Sequence, residues 1–409
     1  MKIRLVFAAV CVASATLAAE FEAARPSGAQ ARISADPNAA SMERVFEFAY
    51  NLDYPEAYAE GTRLIAERPN DPMSYRSVAT VAWMEMVFRR GAASIDHYLG
   101  NITETQFNVP KPTPDLDAMF QKNIEKAIAL SDATLAKRPK DPQALFDSGS
   151  AWALKGGYAA AVLGSMTGAF KSARHAYNAH ETVLEIAPDR AEANLVVGSY
   201  RYAISTFGVA TRMVAYVAGF GGGREKGISM IEIASKKGIS QSDATFALAV
   251  IYSREGRHND AVDRLRELER RYPRNRLLIL EEGAALIRAG HADTASEVLT
   301  AGLTRLDKDT RPRFPGERAQ WLYKRGLARL NWNHRADAAA DFNAALGAEP
   351  VGWVRGRIHV EMGKLADLAG NRTKALAEYN EAATICARSN DPACEADAAR
   401  FKKRAFALQ

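Results

Sequence analysis

Residues 242–275, SDATFALAVIYSREGRHNDAVDRLRELERRYPRN, decide the fold. Apolar side chains recur in this stretch every three or four positions, which is the period of an amphipathic helix. Gly256 falls where a tight turn would end one helix, and Pro273 falls where a second helix would stop. Ala249 and Ala261 are small enough to let two helices approach closely. The stretch therefore predicts a pair of helices packed against each other in 34 residues.

The same spacing recurs along the chain, while strand signals are scarce. An Ala followed twelve residues later by a Pro brackets a segment of helical periodicity five times, at Ala57/Pro69, Ala127/Pro139, Ala176/Pro188, Ala261/Pro273 and Ala338/Pro350. Glycines recur as well. One set lies twelve residues before the expected small position of each unit, at Gly149, Gly198, Gly283, Gly326 and Gly363, and a second set lies at the expected turns, Gly156, Gly256, Gly290 and Gly370.

This pattern resembles tetratricopeptide repeats, which are helix-turn-helix units of 34 residues. The resemblance covers most of residues 38–390 and is clearest at 242–275, 319–352 and 356–389. It implies an all-α, right-handed α-solenoid of about eight helix pairs. Residues 38–241 are then divergent units, residues 242–390 are regular units, and residues 391–409 form a closing helix that caps the last repeat.

The start of the chain predicts export. A short cationic segment containing Lys2 and Arg4 precedes the apolar stretch LVFAAVCVASATLAA, so residues 1–19 are expected to be a cleaved signal peptide and residues 20–37 a flexible lead-in. A lipoprotein would need a Cys at the end of the apolar stretch, whereas Cys11 lies inside it. The expected location is the periplasm or the exterior, with no transmembrane segment.

Three units carry extra residues between their two helices, roughly at 90–114, 158–170 and 207–222. The second and third insertions are apolar and rich in small residues, and we interpret them as lengthened helices that pack together. Two interpretations remain open, additional core or an apolar ligand cavity. The cavity would be lined by Met166, Met213, Tyr216 and Phe220.

Residues 219–228, GFGGGREKGI, with Arg271, Tyr272 and Pro273, are similar to a motif in a eukaryotic tetratricopeptide family associated with the outer mitochondrial membrane and inclusion clearance. That likeness implies a helical protein without enzymatic activity. The glycines at 221–223 precede a helix, where backbone amides can bind an anion. The chain lacks the strand and the Lys-Ser/Thr of phosphate-binding folds, so a tight turn is favoured.

The sequence shows no catalytic or metal-binding grouping of side chains. The seven histidines are scattered, and His175 and His180 are five residues apart, which places them on different helix faces. We therefore predict no enzyme activity, no metal and no cofactor. The 54 basic and 48 acidic residues are intermixed, which disfavours a nucleic-acid partner. Cys386 and Cys394 could close a small disulfide loop in an oxidising compartment, or remain thiols.

The remaining chemistry is that of a surface. In tetratricopeptide arrays the first helix of each pair lines a concave groove, and the resemblance places Phe146, Tyr202, Phe246, Arg254, Arg288, Tyr323 and Asn331 there. Aromatic and Arg side chains suit a peptide or a small anionic ligand. The leading hypothesis is a non-catalytic, exported scaffold that binds a protein partner in this groove. The alternative is a periplasmic, transport-associated solute-binding protein with an apolar cavity formed by the insertions.

Overall fold

The computed structural model describes residues 37–92, 94–99, 110–217, 219–236 and 240–407. The predicted signal peptide and the lead-in up to residue 36 lie outside these ranges. Every regular element of the described chain is a helix, which confirms the all-α class. No described helix is both long enough and apolar enough to cross a membrane.

The helices follow the predicted pairs closely. Their bounds are α1 Pro37–Tyr50, α2 Tyr54–Glu67, α3 Pro72–Arg89, α4 Pro114–Leu135, α5 Pro142–Ala161, α6 Met166–Ile186, α7 Ala193–Ser205, α8 Val209–Val217, α9 Arg224–Ala234, α10 Gln241–Arg254, α11 His258–Arg271, α12 Arg276–Arg288, α13 Ala292–Lys308, α14 Glu317–Asn331, α15 Arg335–Gly347, α16 Gly352–Leu368, α17 Arg372–Ser389 and α18 Pro392–Lys403. A 3₁₀ turn at Ile95–Tyr98 lies between α3 and α4.

The chain divides into two compact units. Of the described residues, the first unit contains those within 37–86, 111–251 and 270–274, and the second contains those within 87–110, 252–269 and 275–407. The insertion after α3 therefore belongs to the second unit, although the α3 residues before Val87 belong to the first. The 3₁₀ turn therefore groups with helices that lie about 200 residues later in the sequence.

In the first unit, aromatic side chains connect successive helices. Phe120 of α4 lies 6.3 Å from Trp83 of α3 and 4.6 Å from Tyr158 of α5, measured between ring centroids. The insertion at 158–170 lengthens α5 and α6 as expected. Gly156 is consequently buried inside α5 beside Ser172, so the expectation that it marks a turn is wrong.

The insertion at 207–222 is not a lengthened helix. It forms the separate short helix α8, and α7 packs directly against α9. Glycines explain the break, because Gly219 and Gly223 adopt φ values of 82° and 122°, which side chains with a Cβ rarely adopt. Between them, Phe220 is buried against Phe170 and Tyr177 at centroid distances of 5.3 and 5.2 Å.

In the second unit, α12, α14 and α16 are the first helices of three successive pairs, and α13, α15 and α17 are their partners. Gly326 shows why a small residue is needed between partners. A Cβ at Gly326 would lie 2.6 Å from the Phe342 ring, so any larger residue would force α14 and α15 apart.

The closing helix α18 packs on α17, and the Phe401 ring lies 5.7 Å from the Tyr379 ring, measured between centroids. It ends at Lys403, earlier than the sequence pattern suggested, and Phe406 continues the apolar contact with its ring 5.4 Å from Phe401. Cys386 and Cys394 are joined by a disulfide, with their Cα atoms 5.8 Å apart. The disulfide therefore ties α17 to α18.

Candidate functional site

A buried carboxylate, Asp96, lies among the helices of the second unit. Asp96 is carried by the 3₁₀ turn, which Ser94 caps by accepting a hydrogen bond from the Asp96 N–H at 3.3 Å. Ile95 is completely buried, and Asp96 is only 6% exposed. The turn therefore inserts an apolar and an acidic side chain together into the helical unit.

Three cations from three first helices surround Asp96. Lys324 of α14 is hydrogen-bonded to Asp96 Oδ2. Arg288 of α12 donates to Oδ1 at 3.2 Å, and a guanidinium nitrogen of Arg357, from α16, lies 3.9 Å from Oδ2. We call Asp96, Arg288, Lys324 and Arg357 the Asp96 cluster. It joins the first helices of three consecutive pairs through a single carboxylate.

The charges of the cluster depend on each other. Burial alone would raise the pKa of Asp96, but Lys324, Arg288 and Arg357 together hold it well below its usual range. Burial lowers the pKa of Lys324, and Asp96 opposes that effect. Arg357 is also paired with Asp391, with Nε 2.7 Å from Oδ2. Asp391 caps α18, so the cluster is linked to the closing helix.

A second acidic group faces the cluster from α12. Glu281 is 3% exposed, and burial together with the nearby Asp96 charge raises the pKa of Glu281 to about 7. Lys324, Arg288 and a hydrogen bond with Ser94 oppose this shift. Glu281 is thus the group of this site whose charge changes near neutral pH.

The raised pKa of Glu281 makes stability depend on pH. A carboxyl group with a higher pKa in the folded state than in the unfolded state binds more protons when folded, so its contribution is present below about pH 4.3 and is lost as the pH rises through 7. We expect Glu281→Gln to remove this loss. As the pH rises from 4.5 to 8, the unfolding free energy of the variant should therefore rise by about 2–3 kcal/mol relative to that of wild type. Urea denaturation across this range measures it, with the exposed Glu297→Gln as control; parallel curves for wild type and Glu281→Gln would contradict the assignment.

Two of the predicted groove residues meet at the Asp96 cluster. Arg288 belongs to it, and Tyr323, adjacent to Lys324, is buried with a pKa raised by burial. Arg254 at the end of α10 and Asn331 at the end of α14 occupy the same repeat position as Arg288. Arg254 is half-buried, whereas Asn331 is exposed. These are residues of the second unit.

The other predicted groove residues lie in the first unit. Phe146 and Tyr202 are buried, at 1% and 2% exposure, and Phe246 is half-buried. The Phe146 ring packs edge-on against His180, at a centroid distance of 5.2 Å. Burial lowers the pKa of His180 to about 4, and its Nδ1 lies 2.9 Å from the Ala176 carbonyl oxygen. Phe146 and Tyr202 therefore contribute to packing.

The residues proposed to line an apolar cavity are not brought together as a buried group. Phe220 is buried, whereas Met213 and Tyr216 on α8 are 58% and 41% exposed. The Met166 side chain lies outside the described residues. The exposed positions of Met213 and Tyr216 do not favour a closed cavity.

Sequence reasoning missed four residues of the site, namely Asp96, Lys324, Arg357 and Glu281. Asp96 did lie in a predicted insertion, but Lys324 is 228 positions away from it. Spacing within a repeat cannot pair an insertion with helices so distant in sequence. Among the described residues, no group of three or more His, Cys, Asp or Glu side chains is placed to hold a metal ion.

Comparison with known proteins supplies structural neighbours only. No protein-family model and no curated protein sequence match the chain. The structural neighbours include tetratricopeptide-repeat proteins. YrrB, described as "a TPR protein with an unusual peptide-binding site", shares 14% identity over 55% of this chain and 94% of its own, with a TM-score of 0.38. A human IFIT1 dimer with PPP-AAAA is also similar, with 14% identity over 92% of this chain and 86% of its own and a TM-score of 0.43. Yeast Tom70 shares 11% identity over 91% of this chain and 89% of its own, with a TM-score of 0.40.

Proposed function

We propose that this protein is a non-catalytic, exported scaffold that binds a segment of another protein across the first helices of its second unit. One observation carries the proposal. A short non-repeat segment, Ser94–Leu99, already lies against α12, α14 and α16, with Ile95 buried and Asp96 held by three cations. The same surface chemistry suits a segment supplied by a partner.

The chemistry of this surface is that of recognition. Its cations are long Arg and Lys side chains that donate to a carboxylate, and charge-assisted hydrogen bonds of this kind provide both affinity and register. Large aromatic side chains support them, because Arg357 lies 5.2 Å from the Trp353 ring and Lys324 lies 5.7 Å from the Tyr323 ring. Buried aromatic and Arg anchors are typical of binding surfaces.

Site-specific photocross-linking tests the proposal. A photoreactive residue at the exposed position Asn331, in the same repeat register as Arg288, should form a protein adduct in the native host. The matched control is the exposed Ala301 on α13, a second helix, and it should form none. Equal adducts from both positions, or adducts from Ala301 alone, would contradict binding across the first helices.

Export is supported by the amino-terminal pattern and by the disulfide, since structural disulfides persist in oxidising compartments. We expect protein isolated from its host, and denatured before labelling, to show no maleimide-reactive thiol at Cys386 or Cys394 until it is reduced. The Cys386→Ser/Cys394→Ser variant should be less stable by about 2–3 kcal/mol, because the unfolded chain loses a short loop constraint. Labelling followed by mass spectrometry, with thermal unfolding, measures both effects. Full labelling of unreduced, denatured protein would contradict export into an oxidising compartment.

A further inference from the structure

We propose that the Asp96 cluster is a carboxylate-binding site for an acidic segment of the partner, and that Asp96 is an internal ligand which this segment displaces. The inference rests on the proposed function and names the chemistry of the partner.

Arg288 has hydrogen-bonding capacity that Asp96 does not use. Its Nη1 donates to Asp96, but its Nε and Nη2 are buried and have no hydrogen-bond partner among the described residues. Nε and Nη2 form the edge of a guanidinium group that receives a carboxylate with two parallel hydrogen bonds. A buried donor pair without acceptors costs free energy, which an incoming carboxylate would recover.

Other arginines of the second unit show that the Nε and Nη2 edge binds a carboxylate when it is paired. Nε and Nη2 of Arg276 donate to the two oxygens of Glu317 at 2.6 and 3.0 Å. The same atoms of Arg325 donate to Asp341 at 2.9 and 2.6 Å. Arg288 differs because only its third nitrogen reaches a carboxylate. A carboxylate on Arg288 in the geometry of Arg276 and Arg325 would complete the pattern.

Asp96 can exchange because of where it lies. It is carried by a 3₁₀ turn in the connection between α3 and α4, and it is not part of a repeat helix. Removing it alone would leave buried cations without a counter-charge, which is strongly unfavourable. Replacing it by another carboxylate preserves the ion pairs, so exchange costs far less than simple release.

The charge of the surroundings selects a carboxylate. Arg357 is already paired with Asp391, so Arg288 and Lys324 are the cations that remain for a ligand. Glu281 faces the same space and carries part of a negative charge near neutral pH. Two cations beside an acidic neighbour match one Asp or Glu side chain, whereas a dianionic phosphate would be repelled by Glu281. Ile95 beside Asp96 indicates that an apolar residue next to the acid would fill the adjoining buried position.

A peptide taken from the chain itself provides the probe. The labelled peptide RGAASIDHYL, residues 90–99, is called the Asp peptide, and the same peptide with Asn in place of Asp96 is called the Asn peptide. Each is titrated into four full-length proteins: wild type, Asp96→Asn, and the double variants Asp96→Asn/Arg288→Gln and Asp96→Asn/Arg318→Ala. Arg318 is exposed and pairs with Asp307 away from the cluster, so it is the matched control. We expect Asp96→Asn and its Arg318→Ala control to bind the Asp peptide at least tenfold more tightly than wild type. Relative to the Asp peptide on the Asp96→Asn protein, affinity should fall at least tenfold when Arg288→Gln is added to the protein, and at least tenfold when the Asn peptide is used.

A second measurement needs no substitution. Amide hydrogen exchange at Ile95 and Asp96 in the wild-type protein should become faster when unlabelled Asp peptide is added in excess, and should not change with the Asn peptide. Unchanged exchange at saturating Asp peptide, or equal affinity of the two peptides for Asp96→Asn, would overturn the inference. Equal binding of both peptides would leave the proposed function standing, because a segment would still bind without carboxylate selection. Binding of neither peptide, together with no adduct at Asn331, would overturn both.

Discussion

Replacing Glu317 by Ala is expected to lower the unfolding free energy of the second unit by about 3–5 kcal/mol, the cost of breaking a buried ion pair. Arg276 is held at the start of α12 by Glu317 of α14, with both side chains at most 3% exposed. It also donates to Asp309 at 3.0 Å and to the Pro312 carbonyl oxygen at 2.7 Å. Burial lowers the pKa of Arg276, but Glu317 and Asp309 together raise it above its usual value.

The cost is large because the variant leaves a guanidinium group buried beside the Phe88 ring, 5.6 Å from its centroid, without its main counter-charge. Glu317 also accepts a hydrogen bond from the Phe314 N–H at 3.2 Å, which the variant loses. Urea denaturation followed by circular dichroism measures the effect. Asp307→Ala removes the exposed ion pair with Arg318 and should change stability by less than about 1 kcal/mol. Equal effects of the two substitutions would show that the buried pair does not stabilise the contact between α12 and α14.

Asp96→Ala is expected to cost about 3–5 kcal/mol as well, because Lys324 would remain buried with its charge unpaired. The second substitution Lys324→Met should recover at least about 1–2 kcal/mol of that loss, since it removes the stranded charge and retains the apolar stem. The double-mutant cycle of Asp96 and Lys324 therefore predicts strong coupling. Chemical denaturation of wild type, both single variants and the double variant supplies the four values.

The matched cycle uses Asp307 and Arg318, which are exposed and should couple by less than about 1 kcal/mol. Additive effects of Asp96→Ala and Lys324→Met would mean that the two groups do not share a buried ion pair. The Asp96 cluster would then be no more than four independent polar side chains, and the basis for a carboxylate site would be lost.

The helix pairs were predictable because the signals for them are local. Gly256, Gly290 and Gly370 adopt positive φ values at the expected turns. Gly326 lies against Phe342 within one pair, so its role follows from a spacing inside a single repeat. Apolar periodicity and helix-stopping prolines act over the same short distances. Such features can be predicted from one sequence with no knowledge of the rest of the chain.

The insertions were harder to predict because apolar composition does not fix helix length. The second insertion lengthened α5 and α6, whereas the third, which is just as apolar, produced the separate helix α8. Gly219 and Gly223 explain the difference, but the sequence alone allowed them to be read as a turn at the end of a longer helix. Phe146 and Tyr202 show the same limit, since the repeat register placed them on a surface and neighbouring helices bury them.

The site depends on contacts between distant parts of the chain. Asp96 is 192 positions from Arg288 and 228 positions from Lys324, and no repeat spacing relates these residues. The sequence did indicate Arg288 and Tyr323 through their register, so one of the three cations around Asp96 could be predicted. The acidic partner of that chemistry lies in an insertion, where repeat patterns have no predictive value.

The most direct measurement is a crystal structure of the full-length Asp96→Asn variant bound to the peptide RGAASIDHYL. We predict that the peptide Asp carboxylate lies within hydrogen-bond distance of Lys324 Nζ and of Nε and Nη2 of Arg288, with its neighbouring Ile buried beside it. A peptide bound away from α12, α14 and α16, or bound there with its carboxylate turned toward solvent, would contradict the account.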